Sequence, residues 1–501
     1  MAINGISFGN TILGSSVQNL KAQMADLQNQ LTSGKKSTTY SGMGANGGFA
    51  IAVRAQLSNI AAYTDTMMKI NTNIHVANTA LQALSDIGTQ LQNAALSGSQ
   101  ALNSAGQTAG QQTAVAQFSS VVGILNTQAG DRYIFSGSEI YTQPVASSDL
   151  ILNGDGAGRA GLKQVISERR QADLGADGLG RIAISSPTAT SVAIAEDASP
   201  SVYGMKLQSV SSSLTGATVT GPAGTPPAIS VDLGATNPAD GDTVSFTFNL
   251  PDGTSETVQL TASSEAPTPA GSFAIGATPT ATAASLNAAL TASIGVLAST
   301  SLVAASAVQA SRDFFGQPPQ RVDVTPPATL STATAAVNGT AADTVQWYTG
   351  EEGTGSARAT SVVRVDASVT VQYGMRANED AIRSLMESVA LLAAVTTSPT
   401  DPNAAGQISA LNARVAQNLS VEPGSQNIRD IQVDLANAQT MMKDATARQK
   451  LTQATMQNII DQAENISTDE VASQLLALQT DLQASYQTTA MLSQLSLVNF
   501  I

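Results

Sequence analysis

The sequence predicts an α+β protein in which a long α-helical coiled-coil bundle, formed by the N- and C-terminal segments, carries a β-rich central insertion of one or more domains. Three observations predict it. Leu13, Val17, Leu20, Met24, Leu27 and Leu31 recur at alternating steps of four and three, which sets them along one side of a helix. Near the other end Ile428, Ile431, Leu435, Ala438, Met442 and Ala445 keep that cadence, and Met456, Ile459, Ala463 and Ile466 continue it. Between the two stripes, from about 131 to 364, the chain turns to Ser, Thr, Ala, Gly and Pro. Two stripes far apart in sequence are most economically hidden against each other, or against copies of themselves.

Composition narrows the class. Aromatic residues make up 4% of the 501 and charged residues 12%, so the core is built from Ala, Leu, Val, Ile and Met. A net charge of −14 argues against a nucleic-acid partner, because phosphate binding needs a basic footprint. The absence of cysteine excludes disulfides, thiolate chemistry and Cys-ligated metal. No run of about 18 apolar residues is read from the sequence, so no membrane-spanning helix and no membrane insertion are expected. Met1-Ala2-Ile3-Asn4-Gly5 lacks the basic and apolar regions of a cleaved signal, which leads us to expect a cytosolic chain or one exported by another route.

The elements follow in order. A helix is expected from Ser7 to Thr32, stopped at Ser33-Gly34, with Lys35 and Lys36 beside the negative end of its dipole. After the loop 41–48, a second helix from Phe49 to Leu102 carries Val53, Leu57, Ile60, Met67, Ile74, Leu81 and Leu84 on one side. A third, from Thr108 to Ala129, carries Val115, Val122 and Leu125. Arg132-Tyr133-Ile134-Phe135-Ser136-Gly137 reads as a short strand entering a turn. In the middle, alternating Val244, Phe246 and Phe248, then Pro251-Asp252-Gly253, then Thr257 to Leu260 spell a hairpin, with a covering helix at Thr282–Leu290. Helices return at Asn378–Val395 and Ala404–Leu419, and the long run restarts at Ile428. Gln449 and Thr452 fall on core-like positions of that run. Ser467-Thr468-Asp469-Glu470 has capping-box spacing and opens a last helix through Val471, Leu475, Leu478, Leu482, Leu492 and Leu495.

These elements group as a terminal assembly domain (1–40 and 467–501), a helical-bundle domain (41–145 and 365–466) and an outward-facing β-rich variable region (146–364). The candidate site is then an assembly interface of Leu13, Val17, Leu20, Met24, Leu27 and Leu31 with Val471, Leu475, Leu478, Leu482, Leu492 and Leu495. Replacement of the segment Gly224–Pro319 is expected to be tolerated.

No enzyme is expected. The one histidine, His75, sits within a helical pattern without a neighbouring nucleophile or second ligand, so it reads as a helix-surface imidazole. With no cysteine there is no set of metal ligands, and no cofactor is expected. Gly156-Ala157-Gly158-Arg159-Ala160-Gly161 matches a phosphate-cradling pattern after Asp149-Leu150-Ile151-Leu152, but no repeated βαβ pattern surrounds it, and it reads as a flexible turn.

Leu31-Thr32-Ser33-Gly34-Lys35, followed by Ala50-Ile51-Ala52-Val53-Arg54, resembles the N-terminal pattern of the bacterial flagellin family, and Ile466 through Leu497-Val498-Asn499-Phe500-Ile501 looks like its C-terminal helix. Asp131-Arg132-Tyr133-Ile134-Phe135-Ser136-Gly137-Ser138 is similar to a segment of the hook–filament junction protein, hook-associated protein 3, which shares those terminal domains. The likeness covers about the first 145 and last 125 residues. It implies an axial protein of the bacterial flagellum, a structural protein of motility, kept export-competent with a chaperone and secreted unfolded by type III export. Its partners would be copies of itself in a helical polymer, together with flagellin and hook-associated proteins. One stretch departs from the family: Leu91-Gln92-Asn93-Ala94-Ala95-Leu96-Ser97-Gly98 stands where flagellins carry a basic, glutamate-containing segment. A coiled-coil adhesin or a phage tail protein is the competing class.

Overall fold

A computed structural model describes the backbone of residues 4–98, 100–420 and 423–498, with side chains between 14 and 491. It mixes helix and sheet, with a long C-terminal helical region and several small sheets. The helices are α1 (Asn4–Ser33), α2 (Ala45–Ser97), α3 (Ala109–Leu125), α4 (Ser148–Asn153), α5 (Leu162–Leu174), α6 (Pro279–Leu297), α7 (Val303–Phe315), α8 (Asp380–Ala394), α9 (Ala404–Asn418), α10 (Ile428–Glu464) and α11 (Thr468–Val498). The strands are β1 (Gln128–Ala129), β2 (Arg132–Tyr133), β3 (Ile182–Ser185), β4 (Ser191–Glu196), β5 (Lys206–Ser212), β6 (Thr218–Ala223), β7 (Ala228–Asp232), β8 (Thr243–Asn249), β9 (Ser255–Ser263), β10 (Ser272–Ala274), β11 (Gln320–Val322), β12 (Ala336–Asn338), β13 (Val362–Arg364) and β14 (Thr370–Gln372). Two compact units result: Met1–Asn71 with Val363–Val371 and Ala438–Ile501, and Thr72–Val362 with Gln372–Asn437.

In the first unit α1 lies against α11, and α2 up to Asn71 runs antiparallel to α10 from Ala438. Val53, Met67 and Ile70 are buried on α2, and Ala438, Met442 and Ala445 on α10, at the three-and-four spacing that makes one helix face. Gln449 continues that face, 6% exposed. Its amide is satisfied on both sides: Thr64 Oγ1 donates to its Oε1 over 3.2 Å, and its Nε2 donates to the Val365 carbonyl. Thr452, expected beside it, instead faces solvent and returns its hydroxyl to the Arg448 carbonyl.

The second unit is built on α8, whose Ile382, Leu385, Met386, Val389 and Leu391 are all nearly fully buried. α3 packs on it, entered through a complete capping box between Thr108 and Gln111. α3 ends at Leu125, short of the expected Ala129, because residues 128–133 fold into the β1–β2 hairpin around Gly130. Of the expected strand 132–137 only Arg132–Tyr133 is regular.

Two four-stranded sheets, in orders β10-β9-β8-β5 and β3-β4-β7-β6, share a core with α6. The hairpin read from the sequence is β8 and β9: Val244, Phe246 and Phe248 are buried in alternation, and Gly253 takes the left-handed backbone (φ +88°) that the turn requires. The covering helix extends beyond 282–290 to Pro279–Leu297, because Thr278 caps it and proline suits its first turn. It continues through a π turn into α7, and the span Pro279–Phe315 is long and apolar enough to cross a membrane. Serines and threonines scattered along it hide that character in the sequence. Leu286, Leu290 and Ile294 are fully buried in the shared core, while Val296 on the same helix is 52% exposed.

α7 also packs on α5, α8 and α9, and Arg414 of α9 reaches Asp252 of the β8–β9 turn over 2.8 Å. Replacing Gly224–Pro319 would therefore remove Phe314, Phe315 and Asp252 from the packing of the helices, so the expected tolerance of that swap does not survive.

Candidate assembly interface

α1 and α11 run antiparallel, with the Lys21 ammonium 5.8 Å from the Tyr486 ring centre. Val17, Leu20, Met24 and Leu27 are half-buried, and Leu31 is 39% exposed. Opposite, Val471 is fully buried while Leu475, Leu478 and Leu482 are half-buried. The side chains of Leu13, Leu492 and Leu495 lie outside the described residues.

A second apolar surface on α11 was absent from the stripe reading. Leu476 is 64% exposed and Met491 61%, whereas Tyr486, 45% exposed, lies beside Lys21 of α1. Successive helix positions are rotated by about 100°, so Leu476 points well away from Leu475 and Leu478. α11 is thus apolar on more than one side, the signature of a helix surrounded by protein. In the sequence, the signal was a leucine at 476 that breaks the three-and-four cadence.

Charge is partitioned to match. The first unit holds nine basic and nine acidic residues, so the whole net charge of −14 resides in the second.

Where α1 ends, the chain is clamped to the α10–α11 turn. Gly34 takes a left-handed conformation (φ +65°), freeing Lys36 to turn back. Lys36 N donates to the Glu464 carbonyl (2.7 Å), and Ile466 N donates to the Gly34 carbonyl (3.1 Å). The Glu464 side chain, 4% exposed, receives Arg54 Nη2 on both oxygens (2.7 and 2.8 Å) and has Lys35 Nζ 3.6 Å away. Lys36 Nζ donates to the Gln462 carbonyl at 2.8 Å, so both lysines expected to complement the α1 dipole serve this clamp. α11 then starts with Ser467 Oγ accepting from Glu470 N (3.4 Å). Sequence reading missed Glu464; the available signal was a carboxylate on the apolar side of α10, four residues after buried Ile460.

The remaining motifs are structural in their contacts. His75 is exposed on α2. The glycine-rich turn follows a short helix, α4, rather than a strand, because Ser147 caps the segment and leaves it helical. Asp155 fills the loop: its Oδ1 accepts from Ala157 N and Arg159 N, and its Oδ2 from Arg159 Nε. Those hydrogen bonds, the Arg159 side chain first, hold its carboxyl well below the usual range. A carboxylate there would repel a phosphate. Gly161 caps α5, and a Cβ on it would come within 2.3 Å of Gly154 N, so the glycine serves turn closure. In the segment 131–138, Phe135 and Ser136 are fully buried, and Gly137 N donates to the Met375 carbonyl. Ser138 N donates to Glu351 Oε2 (2.7 Å), so this segment is a core stitch of the second unit.

Comparison with known protein families and with curated proteins finds no match for this chain.

Proposed function

We propose that the chain is a structural axial protein of the bacterial flagellum, assembling through a coiled-coil bundle of its terminal helices as a filament subunit or at the hook–filament junction. The observation that carries the reading is α11, apolar on more than one side and covered on only one. A neutral first unit lets copies meet there without net repulsion. The residues at 31–35, 50–54 and 131–138 that resemble the flagellin family choose this class over an adhesin or tail protein. On this reading α1 and α11 gain their full cover only from neighbouring copies, the chain is secreted through the flagellar export route, and it acts outside the cell in motility.

The test is assembly of purified full-length protein on filament seeds, beside Leu20→Pro and Leu478→Pro variants. A proline inside either helix costs about 3 kcal/mol or more of helix stability. Unlimited growth indicates a filament subunit and a short capped ring the junction role, with both variants inactive. Wild-type protein that stays monomeric on every seed, in a strain whose flagella survive deletion of the gene, refutes the proposal.

A further inference from the structure

The second unit carries 14 basic against 28 acidic residues, and most of the basic ones are consumed internally. Arg159, Arg169, Arg181, Lys206, Arg321, Arg358, Arg383 and Arg414 each pair with a carboxylate. Against that background one cavity of about 770 Å³, between α2, α8 and the start of α10, gathers Arg312, Arg383 and Arg429 on its wall. Among the described residues its lining holds one carboxylate, Asp380. Arg312 donates to the Asp252 carbonyl (2.9 Å) and to Asn418 Oδ1 (3.2 Å) and makes no ion pair among the described residues, although the Glu387 carboxyl feels its charge. Among the described residues Arg429 makes no ion pair, and Arg383 is engaged by Asp380 and, at 3.4 Å, by Glu387. Asp380 and Ile428, the first residues of α8 and α10, also line the cavity and bring the positive ends of two helix dipoles to it.

We infer that this arginine-lined cavity receives carboxylate side chains from the second unit of a neighbouring copy, acting as a lateral contact in the assembly. Charge complementarity selects that occupant: copies bearing −14 on this unit repel one another unless cations are interposed, and the cavity brings three arginines together on that acidic unit. Guanidinium groups suit carboxylates by their paired donors. The inference rests on the assembly reading above and adds to it a contact outside the terminal helices.

Seeded assembly of the full-length chain, measured by sedimentation across concentrations, tests it with Arg429→Glu and Arg429→Lys. Arg429 is exposed and makes no ion pair among the described residues, so thermal unfolding should match the wild type in both. The expected result is a threshold concentration raised about tenfold by Glu and held within about twofold by Lys. An unchanged threshold for Arg429→Glu, or an equal shift for Lys, overturns the inference while leaving the assembly reading intact. So does citrate, used as a small tricarboxylate, binding the wild-type monomer but not Arg429→Glu without moving the wild-type threshold. Failure of the wild type to assemble at all removes the reading itself, and this contact with it.

Discussion

Leu476→Ala isolates the outer face of α11 from the pairing of α1 with α11. Leu476 is 64% exposed, so the single chain gains little from it. If neighbouring copies cover it, the newly buried share of a leucine contributes about 1–2 kcal/mol to association, taking about 1.5–3 kcal/mol for complete burial. At about 1.4 kcal/mol per factor of ten, the threshold concentration for seeded assembly should rise about five- to thirtyfold. Alanine favours helix at least as well as leucine, so far-UV circular dichroism and thermal unfolding of the monomer should not fall. Sedimentation of seeded reactions over a concentration series gives the threshold directly. A threshold within a factor of two of wild type, with helicity unchanged, would mean that the outer face of α11 stays solvated in the polymer, and the central support for the proposed function would be gone.

Glu464→Gln should loosen the clamp that ties Gly34–Lys36 to the α10–α11 turn. Arg54 is 46% exposed and regains water, so the cost is about 1–2 kcal/mol rather than that of a buried pair; faster tryptic cleavage after Lys35 and Lys36 reports it, and wild-type cleavage rates would contradict the clamp. Burial pushes the Glu387 carboxyl up to about 7 against 4.5 when unfolded, with Arg383 and Arg312 opposing the shift. Its folded form therefore favours the proton: its contribution is fully present below about pH 4.5 and is lost as pH rises through about 7. Glu387→Gln should raise stability at pH 8 by about 1–3 kcal/mol and leave it unchanged near pH 4, as read by denaturant unfolding; equal effects at both pH values would refute the burial account. Gly161→Ala forces a Cβ against Gly154 N and should cost about 1–3 kcal/mol in the same unfolding assay, whereas a wild-type midpoint would show that the turn has room.

What was legible in the sequence was whatever a period could encode. The α10 face from Ile431 to Ala445 is buried residue for residue, and the β8–β9 hairpin falls where alternating Val and Phe meet Pro-Asp-Gly. What failed was information carried by a single residue or by tertiary contact. Leu150-Ile151-Leu152 is too short for any period, and a serine cap decides it as α4. Leu476 sits one position off its stripe, a rotation of about 100° that takes it from core to solvent, while Thr452 keeps the stripe's spacing and is exposed all the same. Glu464 gains its role from Arg54, 410 positions away, which no local pattern announces.

The distribution of charge gives the two units different physical tasks. Charges act over about 8 Å in physiological salt, so repulsion between acidic surfaces operates only when copies are close to contact. A unit with nine charges of each sign can form that contact by apolar burial alone, since its electrostatic terms cancel to first order. A unit with twice as many acids as bases cannot, and copies brought side by side need cations at the contact. Eight of its basic side chains are already bound to their own carboxylates. The apolar surface of α11 would therefore set how tightly copies associate, and the placement of Arg312 and Arg429 would set the register in which they do so.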